Sequence, residues 1–268
     1  MDEKKQTPLE LIWKGALFGI ANIIPGVSGG TIAVVTGVYD QFMEAIGHFV
    51  KRWKFLLFYF LGAGTGIVGG SFTLETLFDK WPAPTLFCFM GFILGGLPVL
   101  WKRSTLSFRE NRSWIIGFLI SLALVVLMSF LLDPAESEPM REASLTAAIA
   151  IFLSGAAAAS AMVVPGISGS FLLLLFGMYT TYVTAITEMN FFVIIVAGLG
   201  IVTGLLVTAR VITFFLKKFH RGTYGVILGL VCGSVIALWP GIPSGILIVV
   251  SVLTFAGGLA GGYLLGDK

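Results

Sequence analysis

The chain has 268 residues, 57% of them apolar and 12% charged, about half the charged share of an average soluble domain. An ordinary soluble fold is excluded. The net charge of +3 comes from basic residues in short loops beside apolar runs, which points to membrane orientation and anionic-lipid contact rather than to nucleic acid. Cys88 and Cys232 both lie inside apolar runs, which argues against a disulfide framework and a metal centre, so neither metal nor cofactor is expected.

Taken in chain order, Glu10 and Lys14 interrupt the first apolar run and no small-residue cleavage site follows it, so no removable signal peptide is expected. Residues 9–24 and 28–47 read as a hairpin broken at Pro25-Gly26. Apolar spans follow at about 55–72, 83–100 and 114–132, then an acidic loop at 133–142. A second hairpin, 144–163 and 168–187, precedes spans at 191–215, 223–239 and 245–265. Sliding the chain by 140 residues aligns 16–47 with 156–187 and gives ten identities in 32 positions. They centre on Pro-Gly-x-Ser-Gly followed at fixed spacing by Gly-x-Tyr: Pro25, Gly26, Ser28, Gly29, Gly37 and Tyr39 against Pro165, Gly166, Ser168, Gly169, Gly177 and Tyr179. Gly62 and Gly64 match Gly198 and Gly200 more weakly, and Thr85, Gly91 and Gly95 match Thr223, Gly229 and Gly233. The chain reads as a duplication with halves at 1–135 and 143–268.

Charge sets the topology. If each hairpin enters and returns on one side, six true spans remain and 13 Lys/Arg fall on the cytoplasmic side against Lys80 and Arg141 outside, as the positive-inside rule requires. Both termini are then cytoplasmic and the halves face opposite ways. The expected fold is an all-α integral membrane protein with an inverted-topology repeat, each half a re-entrant hairpin plus three transmembrane helices. Residues 28–47 would make a helix of ~30 Å, long enough to cross, so a tilt or a break at Gly37 is expected.

Each Pro-Gly break is followed by an N-capping serine and small residues, which would aim a helix start at mid-membrane. Two such tips facing each other suit an anion: Gly29, Gly30 and Gly169 let a phosphate approach the backbone, and the Ser28, Thr31, Ser168 and Ser170 hydroxyls add donors. The competing reading is close helix packing by small residues. Lys14 and Asp40 fall at similar depth, as an ion pair or with Lys14 on the phosphate. Arg210 lies seven residues inside the Lys217/Lys218 cluster, either snorkelling to the interface or facing the cavity and binding the anion. Asn22, Ser160, Tyr39 and Tyr179 are candidate lining groups.

The run from Lys14-Gly15 through Ala21-Asn22-Ile23-Ile24-Pro25-Gly26-Val27-Ser28-Gly29-Gly30-Thr31 to Gly37-Val38-Tyr39 has a counterpart. Ser160-Ala161-Met162-Val163-Val164-Pro165-Gly166-Ile167-Ser168-Gly169-Ser170 with Gly177-Met178-Tyr179 repeats it, and the pair resembles the bacterial polyprenyl-phosphate (undecaprenyl-phosphate) translocases, long catalogued as a membrane domain of unknown function. The resemblance implies a flippase in the bacterial plasma membrane. It would return undecaprenyl phosphate from the outer to the inner leaflet, with that lipid as partner and no enzymatic step. Asp40 departs from the glutamate expected after Gly-x-Tyr. Two other readings stand beside it: an integral-membrane polyprenyl-diphosphate phosphatase, disfavoured because no carboxylate or histidine lies near either tip, and a transporter of a small soluble anion.

Overall fold

The computed structural model describes residues 6–23, 27–104, 113–131, 138–140 and 143–266, and among them every regular element is an α-helix. The twelve helices are α1 (Pro8–Ile23), α2 (Gly29–Val35), α3 (Tyr39–Gly47), α4 (Trp53–Lys80), α5 (Pro82–Ser104), α6 (Ser113–Leu131), α7 (Leu145–Val163), α8 (Gly169–Leu175), α9 (Tyr179–Thr187), α10 (Phe191–Lys218), α11 (His220–Ala237) and α12 (Ile246–Gly266).

Five stretches among the described residues are long and apolar enough to cross a membrane: Trp53–Ser71, Pro82–Lys102, Leu145–Val163, Phe191–Lys218 and Ile246–Gly266. Four of them fall on expected spans. The fifth, α7, was expected as one arm of a hairpin, yet its 19 residues rise ~28 Å, enough to span. Its Ala-rich sequence supplies no charge to hold it short. The apolar part of α6 is shorter, Trp114–Phe130.

The expected break at Gly37 is present. Gly37 has φ 70°, its N–H bonds the Val34 carbonyl at 3.0 Å, and the Val38 N–H reaches back to Ala33 at 2.9 Å. This pair of bonds is a Schellman ending, which needs a left-handed residue and therefore favours glycine. Gly177 repeats it bond for bond: φ 65°, Gly177 to Leu174 at 2.9 Å and Met178 to Leu173 at 2.8 Å. After the second break the chain bends by 107° between α8 and α9. The repeated Gly-x-Tyr is thus a helix terminator followed by the first residue of the next helix.

Small residues set the packing of the long helices. A Cβ on Gly62 would run into the Ile12 carbonyl and one on Gly66 into that of Ala16, so α4 lies backbone-to-backbone on α1. Gly200 and Gly204 meet Phe152 and Ala156 in the same way, seating α10 on α7. The partner carbonyls are 140 residues apart and the glycines 138. That corrects the weaker sequence match, since the positions with equal roles are Gly62/Gly200 and Gly66/Gly204, while Gly64 and Gly198 face open space. Two further seams join the first half of the chain to the second. Gly91 and Gly95 of α5 meet Phe255 and Leu259 of α12, and Gly225 and Gly229 of α11 meet Trp114 and Phe118 of α6. In all four seams the contacts climb both helices in the same sense, so each pair runs parallel.

Candidate functional site

The start of α2, the first tip, meets the chain that leaves α7, the second. Ser28 caps α2, its Oγ accepting from Gly30 N at 3.2 Å, and the same hydroxyl lies 3.0 Å from the Val164 carbonyl and 3.3 Å from that of Met162, to which it donates. Those carbonyls sit in the last turn of α7, where the chain leaves the helix and backbone acceptors lose their partners. Thr31 Oγ1 in turn accepts from Gly166 N at 2.8 Å. The hydroxyls of the first tip therefore satisfy backbone groups exposed by the break in the second, the condition for breaking a helix at membrane depth. Gly30 permits this: a Cβ there would lie 2.5 Å from the Val163 carbonyl oxygen.

The two copies are not in the same environment. All seven residues of α2 are buried, and none of the seven in α8 is. Ser168 caps α8 through a long 3.5 Å contact to Phe171 N and shares a 2.9 Å hydrogen bond with Ser170. It lines a cavity of about 190 Å³ with Gly166, Ile167 and Phe171, walled on the far side by Val125, Met128 and Ser129 of α6 and by Ala237. A second cavity, about 640 Å³ and almost wholly apolar, runs between the beginnings of α6 and α11 and the end of α10. Val164 and Pro165 line it beside Leu230, and Tyr39 lines it as well. Pro165 belongs to one cavity and Gly166 to the other, so the break is the partition between them.

The remaining candidates disperse. Asn22 stays at the first tip, donating to the Phe18 carbonyl at 2.8 Å and pressed against Gly29, where it and Phe18 would meet any Cβ. Gly169 lies against α7, with a Cβ there 2.6 Å from the Ala158 carbonyl oxygen, so it serves packing. Ser160 bonds Ala156 at 2.7 Å and accepts from Thr208 at 2.7 Å, within the α7–α10 seam. Tyr39 is buried and lines the apolar cavity; Tyr179 is 41% exposed. Asp40 takes the Tyr224 hydroxyl at 2.9 Å as its partner, while Lys14, buried in α1, holds its ammonium 5.4 Å from the Trp13 ring. Arg210, expected either to snorkel or to face the cavity, sits on an exposed face of α10 beside Gly47 at the end of α3 and lines neither cavity. Depth along a helix follows from sequence spacing, but direction around the helix is set by its neighbours. Pro25 and Gly26 lie outside the described residues.

A family model described as "VCA0040-like: Undecaprenyl phosphate translocase-like" matches residues 18–250. The chain belongs to this family. Among its relatives, a protein named polyprenyl-phosphate transporter from Staphylococcus aureus is 33% identical over 269 residues, 95% of each chain. Another of the same name from Vibrio cholerae is 30% identical over 259 residues, 90% of this chain and 80% of that one. No solved structure matches it. Within the translocase-like family frame, Ser129, Tyr224 and Gly222 are additions that the motifs did not announce. Ser129 faces the Ser168 cavity, and its signal was a lone hydroxyl near the end of an otherwise apolar helix.

Proposed function

We propose that the chain carries polyprenyl phosphate across the plasma membrane from the outer to the inner leaflet, the two inverted halves exposing the headgroup site alternately. The observation that carries this reading is the asymmetry of the two tips: equivalent segments, one fully buried on the partition and one with Ser168 lining a cavity and hydrogen-bonded to the exposed Ser170. The parallel seams support the inversion. With α1 along α4, α5 along α12, α6 along α11 and α7 along α10, and with consecutive long helices reversing, α1 and α7 run in opposite directions. A phosphate monoester carries about −1.5 to −2 charges at neutral pH, and the hydroxyls of Ser168, Ser170 and Ser129 with the neighbouring N–H groups are its proposed ligands from the outer side. The names of the relatives favour transport over hydrolysis, and the apolar cavity beside the break favours a lipid over a small soluble anion.

Leaflet exchange of polyprenyl phosphate by the purified chain in vesicles tests the proposal; no exchange above empty vesicles overturns it. Ser168→Ala removes one hydroxyl donor to a charged group, worth about 1.5–3 kcal/mol, so exchange at limiting substrate should fall about 10- to 150-fold, while thermal stability falls only slightly because the cap it loses is a long 3.5 Å contact. Topology is tested by cysteine labelling in intact cells. Glu188→Cys should react with an impermeant reagent and Lys51→Cys should not, because the hairpins return to the side they left. Labelling of Lys51→Cys from outside removes the orientation.

A further inference from the structure

We propose that the 640 Å³ apolar groove is the inner-leaflet seat for the isoprenoid tail of the transported lipid, with Lys218 at its mouth receiving the phosphate; this rests on the transport reading above. The groove is walled by Ile212, Phe215 and Phe219 of α10 and by Val226, Ile227 and Leu230 of α11. Phe215 and Phe219 are 45% and 51% exposed, so the groove is open along this wall. From Gly222 to Leu230 the groove follows eight residues of α11, ~12 Å of rise, close to the depth of one leaflet of a ~30 Å hydrocarbon core.

Its two ends differ in chemistry. At the outer surface of the bundle the Lys218 ammonium lies 5.5 Å from the centroid of Phe219, a groove residue, and equally close to Phe214. Lys217 and Arg221 flank Lys218 in the sequence as further basic residues. At the other end, beside Leu230, stand Val164 and Pro165, the partition itself. A lipid lying here has its anionic head at the basic rim and its tail rising toward the helix break, the disposition of an inner-leaflet lipid just delivered. Methyl-branched, unsaturated units suit walls of branched aliphatic and phenyl side chains. Gly222 and Gly117 keep the groove wide: a Cβ on Gly222 meets nothing within 4 Å, and one on Gly117 meets the Val226 methyl at 3.0 Å. Gly222 is therefore a specificity-determining position, where a large side chain enters the groove without touching the packed seam.

Two measurements on the full chain in vesicles test this. First, Gly222→Phe should lower polyprenyl phosphate exchange at least tenfold with an unchanged melting profile, and Gly222→Ala should leave it within twofold. Second, a polyprenyl phosphate bearing a photoreactive group on the isoprene units nearest the phosphate should label the segment 212–230. Gly222→Phe should abolish that labelling, and Lys218→Glu should weaken it at least threefold. Excess unlabelled polyprenyl phosphate should compete, and phosphatidylglycerol should not. Wild-type exchange by Gly222→Phe, labelling elsewhere, or equal competition by phosphatidylglycerol overturns the groove as an isoprenoid seat. Labelling at 212–230 without exchange by the wild-type chain would instead sink the transport reading and leave the seat standing.

Discussion

Gly166→Ala is expected to abolish leaflet exchange almost as completely as Gly166→Val, and to lower the melting temperature. Gly166 has φ 81°, where an L-residue costs roughly 1–2 kcal/mol and a β-branched one more. The second cost is geometric. A Cβ there would drive into the Leu230 carbonyl of α11, a backbone group that cannot rotate away, and overpacking of this kind adds about 1–3 kcal/mol. The damage falls on the partition between the two cavities, because the Gly166 N–H is the donor that Thr31 receives. Alanine carries the offending carbon already, so a graded series from Ala to Val should show most of its loss at the first step. Gly64→Ala, at a helical glycine with open space around it, is the matched control and should gain slightly in stability, since alanine outranks glycine in helices by about 1 kcal/mol. Wild-type exchange and melting by Gly166→Ala would show that the tight approach to α11 is not part of the working protein.

Much of this arrangement was legible in the sequence. The duplicated Pro-Gly-x-Ser-Gly predicted one break in each copy, with a tilt or a further break at Gly37 in the first, and Gly37 and Gly177 both end their helices with the same pair of hydrogen bonds. Turn chemistry of that kind is local, needing only a glycine at the left-handed position and a residue able to start the next helix. Non-local outcomes were harder to read. Ser28 and Ser168 are the same letter in the same motif, yet one is 1% exposed and bonded across to α7 while the other faces a cavity. A sequence pattern common to two copies describes what each can do; a single conformation must assign the copies different tasks. Arg210 shows another limit. Its depth along α10 was countable, whereas the side it presents follows from the glycines that seat α10 on α7 and leave the opposite face toward α3. Tyr224 as the partner of Asp40 joins residues 184 positions apart, and no short motif announces such a pair.

The same reasoning makes Thr31→Val the substitution that should move the conformational equilibrium rather than the fold. Valine replaces threonine with nearly the same shape, so α2 keeps its packing. The lost oxygen leaves the Gly166 N–H unpaired at a fully buried point, since Thr31 is 0% exposed. An unsatisfied buried donor costs about 1–3 kcal/mol, and that cost applies only while the first tip is docked on the second break. Once the tips separate, the N–H regains water or another partner. The docked form should therefore lose population relative to the separated one by about 5- to 150-fold. A cysteine placed at Val34, 3% exposed in the docked form, reports the change in a background lacking Cys88 and Cys232. Its alkylation by a small maleimide, where opening limits the reaction, should accelerate by the same factor in Thr31→Val. Thr31→Ser keeps the acceptor oxygen and should restore slow labelling, which separates the hydrogen bond from a general loosening of α2. Equal labelling rates in wild type and Thr31→Val would mean that this bond does not hold the docked state, and the alternating exposure of the two tips would lose its latch.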